Sequence, residues 1–291
     1  MNKVALISLY FGKFPANFGL WLKSAARNAD IDFLLYGDCD VSAYLPLPPN
    51  VKCFSYTFEQ MKAKIQSKFD FTIELSRPYK LCDYKPIYGY LFEEDLAGYD
   101  YWGHIDLDTI LGDLRAYFPK EAYEKVYQFG HLTMYRNTPV NNRRFMADVG
   151  QDYRKSFTTS FITVFDELPG MKKKYDLLGI PQYSGQDFAD IARRRKNFTL
   201  NSEICRKNYK YQIFYYIRTG ACFGIIWIRA QCTRTNLIIS TFPNAKCRTI
   251  PAEVRRTTLP GLAVCPRPAP LRRRSFRNIT GRPRCKTCFV P

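Results

Sequence analysis

The sequence predicts an α/β fold, a mostly parallel sheet flanked by helices, and three observations predict it. Apolar, β-rich runs alternate with amphipathic helical segments through the first hundred residues. The first run, Lys3 to Tyr10 (KVALISLY), is apolar without alternation, the pattern of a strand buried on both faces. A later run, Tyr101 to Ile105 (YWGHI), leads straight into acids at Asp106 and Asp108. In open parallel sheets, ligands collect beyond the carboxyl ends of the strands.

The elements follow in order. After the first strand, Gly12, Lys13 and Pro15 signal a loop, and Asn17 to Asn28 carries apolar residues at helical spacing. Ile31 to Tyr36 is a second strand, stopped by Gly37-Asp38, and Val51 to Tyr56 is a third. Phe58 to Phe69 is amphipathic and helical. A helix over Lys85 to Leu96 is expected, with Pro86 in its first turn. Strands are expected at Val126–Phe129 and Leu132–Tyr135, helices at Asn141–Tyr153 and Gln186–Arg195, and a strand at Tyr209–Tyr216.

Charge divides the chain. The formal net charge is +18, but the residues after Ile217 hold 15 Lys and Arg against one acid, Glu253. That stretch therefore carries +14, and the first 217 residues carry only +4. Six of the ten cysteines also fall after Ile217, among Pro- and Arg-rich sequence such as PRPAPLRRR (266–274). The division predicts one catalytic domain over 1–216 and a basic tail over 217–291, irregular or disordered by composition. The abrupt change after Tyr216 suggests an out-of-frame translation. A one-base shift, with free choice of the unconstrained bases, permits a strand-like continuation containing a late histidine.

The chemistry centres on His104-Ile105-Asp106-Leu107-Asp108. On an extended strand Asp106 and Asp108 face the same way. Two carboxylates so placed repel unless a divalent cation lies between them. A nucleotide diphosphate brings further oxygen ligands, and the metal neutralises the leaving diphosphate. The expected cofactor is Mn²⁺ or Mg²⁺.

The segment Tyr101–Arg115 (YWGHIDLDTILGDLR) resembles the Asp-x-Asp region of a bacterial family of GT-A-type glycosyltransferases assigned to capsule or lipopolysaccharide synthesis. The segments VALISLYFGKFP (4–15), RPYKLCDYKPIYGYLFEE (77–94), FGHLTMYRNTPVNNRRF (129–145) and FDELPG (165–170) are similar to that family too. The resemblance covers roughly 1–216. It implies a Rossmann-like GT-A sheet, with a donor half over about 1–115 and an acceptor half over about 116–216. It implies a UDP- or GDP-sugar donor and a glycan or glycolipid acceptor. Tyr10, Phe11 and Gly12 then line the nucleotide, and Asp38 meets the ribose or base. Lys80, Asp83 and Lys85 surround ribose and diphosphate. Asp106 and Asp108 become metal and ribose ligands, and Asp166 or Glu167 the acceptor base. His131 falls on the acceptor side or is structural. A late histidine and basic residues usually complete such a site, and an out-of-frame tail would lack that metal ligand and diphosphate clamp.

Other classes fit less well. A haloacid-dehalogenase phosphatase needs Asp-x-Asp-x-Thr, and Thr109 stands one position too early. A sugar-nucleotide pyrophosphorylase needs a Gly-rich phosphate loop, which KFPANFG is not. Cys285 and Cys288 lack a second ligand pair for a zinc knuckle. The non-enzyme alternative is a nucleic-acid or anionic-membrane binder acting through the Arg-rich tail; the enzyme reading involves no nucleic acid. No apolar run approaches the roughly 18–20 residues of a membrane span, and no cleavable leader is apparent. A cytoplasmic protein, peripheral at the inner membrane face, is expected.

Overall fold

The computed structural model describes residues 2–184 and, beyond them, the backbone of strand segments between 188 and 241. Strand β1 (Val4–Tyr10) is followed by helix α1 (Phe18–Ala25), strand β2 (Ile31–Gly37), strand β3 (Val51–Ser55) and helix α2 (Phe58–Gln66). A 3₁₀ segment (Pro78–Ile87) leads through the short helix α3 (Tyr88–Leu91) to β4 (Tyr101–Ile105) and β5 (Thr109–Leu111). Then come the hairpin strands β6 (Lys125–Phe129) and β7 (Leu132–Arg136), helices α4 (Pro139–Asn142), α5 (Tyr153–Phe157) and α6 (Lys173–Leu177), and the short β8 (Gln182–Tyr183).

The main sheet has seven strands in the order β3-β2-β1-β4-β7-β6-β8. The pairs from β3 to β4 are all parallel, β7 runs antiparallel to β4 and β6, and β8 is parallel to β6. The sheet is therefore mostly parallel with helices on its faces, as the alternating pattern predicts. The unbroken apolarity of β1 has a direct cause. Val4 and Leu6 belong to the core under α1, with Trp21, Leu22 and Phe33, whereas Ala5 and Ile7 belong to the opposite core, with Met61 and Ile65 of α2. A strand buried on both faces has no polar face to show.

Two buried asparagines tie α1 to the sheet. Asn50 Nδ2 donates to the carbonyls of Ala25, Asn28 and Ile31. Asn28 Nδ2 donates to the carbonyls of Ser24 and Gly112, and its Oδ1 accepts from the Leu114 amide.

Three expected helices come out differently. Over Lys85–Leu96 the chain is 3₁₀ up to Ile87, with a single α turn at Tyr88–Leu91. Pro86 has no N–H to donate, and the Gly89 carbonyl accepts from Asn142 Nδ2. Over Asn141–Tyr153 only Pro139–Asn142 and a 3₁₀ turn at Arg144–Met146 form. The buried Lys174 draws the carbonyls of Ala147 and Val149 to its Nζ, each at 2.6 Å, so they serve a side chain rather than a helical ladder. Within 186–195, the backbone of Phe188–Ile191 is a strand (β9), paired antiparallel with Phe198–Leu200 (β10); the rest of that stretch lies outside the described residues. Farther on, Gln212–Tyr216 (β11), Cys222–Ile228 (β12) and Gln231–Leu237 (β13) form an antiparallel meander that crosses the compositional break at Ile217. Ile239–Thr241 (β14) pairs with β5. The remainder of the basic tail lies outside the described residues.

Replacing Asn28 with Ala removes three hydrogen bonds and strands the Gly112 carbonyl and Leu114 amide in the interior. Unsatisfied buried groups of this kind make the expected loss roughly 2–4 kcal/mol. Urea denaturation measures it, and a loss below about 1 kcal/mol would show that the Asn28 side chain does not help hold α1.

Candidate active site

A cleft of about 700 Å³ opens at the carboxyl ends of β1 and β4. Its walls come from five stretches far apart in sequence: Ile7–Phe11, the 3₁₀ segment with Tyr79, Cys82 and Lys85, the β4 exit from His104 to Asp108, Gly130, and the loop bearing Ile162, Val164, Asp166 and Glu167. A smaller recess of about 280 Å³ shares Tyr10 and extends along Gly37–Val41 and Cys53–Ser55 at the ends of β2 and β3.

Asp106 and Asp108 both line the cleft, but not as alternate residues of one strand. β4 ends at Ile105, and the acids sit in the turn before β5. Thr109 Oγ1 closes that turn by donating to the Asp106 carbonyl at 2.7 Å, and Leu107 between them is 1% exposed, anchored in the core. Burial and the neighbouring charge of Asp106 push the Asp108 carboxyl above its usual range. Such a carboxylate gains from any cation that approaches.

Lys85 is the centre of charge. Its Nζ lies 2.7 Å from Asp106 Oδ1 and 3.6 Å from Asp166 Oδ2, and it donates to the Gly130 carbonyl at 2.8 Å. Burial works against its charge, but Asp106 and Asp166 overcome that and hold the ammonium protonated. Asp166 is 3% exposed. Burial raises its carboxyl to about 7, with Lys85 pulling down and Glu167 and Asp106 pushing up.

Gly130 joins the two acidic turns. It occupies the tip of the β6–β7 hairpin, and β7 runs antiparallel to β4, so the tip lies beside the end of β4. The Gly130 amide donates to Glu167 Oε1 at 3.0 Å, and its carbonyl also meets His104 Nδ1 at 3.1 Å. A carbonyl only accepts, so His104 carries its hydrogen on Nδ1. Burial and the charges of Lys85 and Lys125 keep that imidazole neutral. A Cβ at position 130 would stand 2.6 Å from Glu167 Oε1 and 2.9 Å from Asp166 Oδ2, so both carboxylates would have to move to admit a side chain.

Of the residues singled out from sequence, the cleft gathers Tyr10, Phe11, Lys85, Asp106, Asp108, Asp166 and Glu167. Asp38 lines the recess instead, and its Oδ1 accepts from the Gly12 amide at 2.6 Å. Gly12 sits at φ 90° and touches Asp38 without lining either space. The His131 carbonyl accepts from the Asp106 amide. Lys80 and Asp83 are a correction: they do not reach the cleft. They are 1% and 0% exposed and paired at 2.7 Å. Lys80 Nζ also donates to the carbonyls of Ser156 and Phe161, both at 2.8 Å. Asp83 accepts from the amides of Thr163 and Phe165. Between those amides, Val164 sits at φ 55°, a conformation costing a β-branched residue about 1–3 kcal/mol. Bonds to a charged group contribute roughly 1.5–3 kcal/mol each, enough to hold it. Sequence reasoning missed Gly130 and Val164 and gave His104 no role of its own, because their roles depend on backbone geometry and on long-range pairing.

A family profile matches residues 6–259, described as a family of unknown function (DUF6625). The chain belongs to the DUF6625 family. The DUF6625 match runs through the compositional break after Ile217. No curated protein matches the sequence.

The raised Asp166 carboxyl fixes a pH dependence. Its ordinary value is 3.8 and its folded value about 7, so the native state binds the extra proton between those limits. The group's contribution to stability is complete below pH 4 and is lost as pH rises through 7. Asp166→Asn should therefore match the wild type near pH 4 and exceed it at pH 8, by roughly 1–4 kcal/mol. Thermal denaturation across that range is the measurement, and parallel curves for the two proteins would refute the assignment.

Proposed function

We propose that this cleft binds a nucleotide-diphosphate sugar and transfers the sugar to an acceptor hydroxyl. The observation that carries the reading is the convergence of two acidic turns, Asp106/Asp108 and Asp166/Glu167, on Lys85 and Gly130 in one cleft beyond the parallel strands. Diphosphates and sugars are multiply hydroxylated or charged ligands, and this is the end of the sheet where such ligands bind.

A divalent metal, Mn²⁺ or Mg²⁺, fits the Asp106/Asp108 turn. Among the described residues no group of three or more His, Cys, Asp or Glu forms a complete metal cage. Mg²⁺-type sites, however, commonly use one or two carboxylates and take the remaining oxygens from substrate phosphates and water. Asp108 meets that need with a carboxyl whose ionisation burial disfavours and a cation restores. When bound, the metal would neutralise charge building on the leaving diphosphate.

The chain's own residues supply the rest. We assign the nucleoside to the recess beside Tyr10, where Asp38 offers a carboxylate to ribose hydroxyls and Phe54 contributes to the lining. Lys85 fixes the spacing between the donor-side and acceptor-side carboxylates. Asp166, with a carboxyl near 7, is suited to take the acceptor hydroxyl's proton as the new bond forms. The acceptor class we infer is a hydroxyl of a surface polysaccharide or lipopolysaccharide precursor, met at the cytoplasmic face of the inner membrane. Among the described residues no helix is long and apolar enough to cross a membrane.

A thermal-shift panel of UDP- and GDP-sugars, with and without Mn²⁺, tests the reading. A donor at a hundred times its Kd should stabilise the protein by about 2.7 kcal/mol, only with metal present. Asp108→Ala should lose that shift while unfolding near the wild-type temperature in buffer. No shift with any donor, or an undiminished shift in Asp108→Ala, would overturn the proposal.

A further inference from the structure

The buried pair Lys80–Asp83 presents a puzzle of function. Buried ion pairs seldom add net stability, since well-packed apolar residues of the same volume do as well or better. This pair's bonds all lead to one place. Lys80 holds the carbonyls of Ser156 and Phe161, and Asp83 holds the amides on either side of Val164. Two further contacts close the same turn: the Met171 amide donates to the Phe165 carbonyl at 2.9 Å, and Gly170 leaves no space there for a Cβ, which would fall 2.0 Å from that oxygen. Directly after Val164 and Phe165 come Asp166 and Glu167.

We propose that Lys80 and Asp83 are positioning residues, which lock Val164 in the left-handed conformation and thereby aim Asp166 and Glu167 at Lys85 and Gly130. The proposal deepens the glycosyltransferase reading and rests on it for its catalytic meaning, but the geometry it asserts is independent of any ligand. Backbone held in a sparsely populated region by surrounding bonds is typical of sites where strain serves placement. A valine there returns to extended backbone once the bonds are gone, and the turn bearing the two acids goes with it.

The Gly130 amide reports the outcome, because it donates to Glu167 from a different element and touches neither Lys80 nor Asp83. Asp83→Asn would keep an oxygen for the Thr163 and Phe165 amides, and removing Asp83 alone would leave the Lys80 ammonium buried without its carboxylate, so the test uses the paired K80M/D83L variant. In that variant, exchange of the Gly130 amide should rise at least about ten-fold relative to Gly103 in the middle of β4. Adding Val164→Gly, which adopts the left-handed conformation freely, should recover most of the protection. Donor-induced thermal shift with Mn²⁺ should persist in K80M/D83L, while turnover falls more than donor KM changes. If Gly130 and Gly103 change together, or V164G fails to restore Gly130, the pair is a general structural element and the proposal falls. A K80M/D83L chain that cannot be folded with or without V164G overturns it as well. Absence of donor binding in the wild type would sink the glycosyltransferase reading alone, leaving the exchange result to judge the positioning role.

Discussion

One ammonium group makes the cleft tenable. Asp106, Asp108, Asp166 and Glu167 crowd a partly dry space, where mutual repulsion and desolvation would otherwise protonate them or drive the turns apart. Lys85, 11% exposed, sits between the two turns and contacts one carboxylate of each. Its Gly130 contact recruits the hairpin tip, and that tip also bonds Glu167 and His104. Burial, reinforced by the same charge, keeps His104 neutral. Removing the Lys85 ammonium itself would leave these carboxylates uncompensated, a penalty of about 3–5 kcal/mol in comparable cases.

The sheet order explains why these groups meet. Parallel strands β1, β2 and β4 all end on one side, so their exit loops share an edge. An all-parallel continuation would place the next loop there too, but far from its own start. Instead β7 returns antiparallel along β4, and the turn at its beginning arrives beside Asp106, whose amide donates to the His131 carbonyl. A left-handed Tyr127 (φ 68°) and a register shift between Val126 and Phe129 bend β6 just before that turn.

The strands were legible because their information is local. The continuous apolarity of β1, the Gly37 stop and the YWGHI run before the acids all reflect burial on two faces or a turn requirement. Helices failed where side chains from elsewhere claimed the backbone, as Lys174 does at Ala147 and Val149 and Asn142 does at Gly89. Among the site residues, Asp106 and Asp108 announce themselves by charge after an apolar strand, whereas Lys85, Asp166 and Glu167 enter through the family resemblance. Lys80 and Asp83 enter through the same resemblance and yet lie in the interior. Charge and spacing cannot tell a buried clamp from a ligand contact, because the difference lies in which distant amides and carbonyls come to meet the group. Gly130 shows the converse: a residue without a side chain gives composition nothing to read, though three side chains bond to its backbone.

The dispersal of the walls has a consequence for how the protein acquires its site. Segments near residues 8, 82, 106, 130 and 166 must all be in place before the cleft exists, and no hairpin or single βα unit contains even two of the acidic turns. Contacts of such separation form late and slowly, after loop entropy has been overcome. A nascent chain still lacking the 162–167 loop would carry Lys85 and Asp106 without Asp166. The acidic centre thus cannot exist before the 162–167 loop has been made and packed against the sheet.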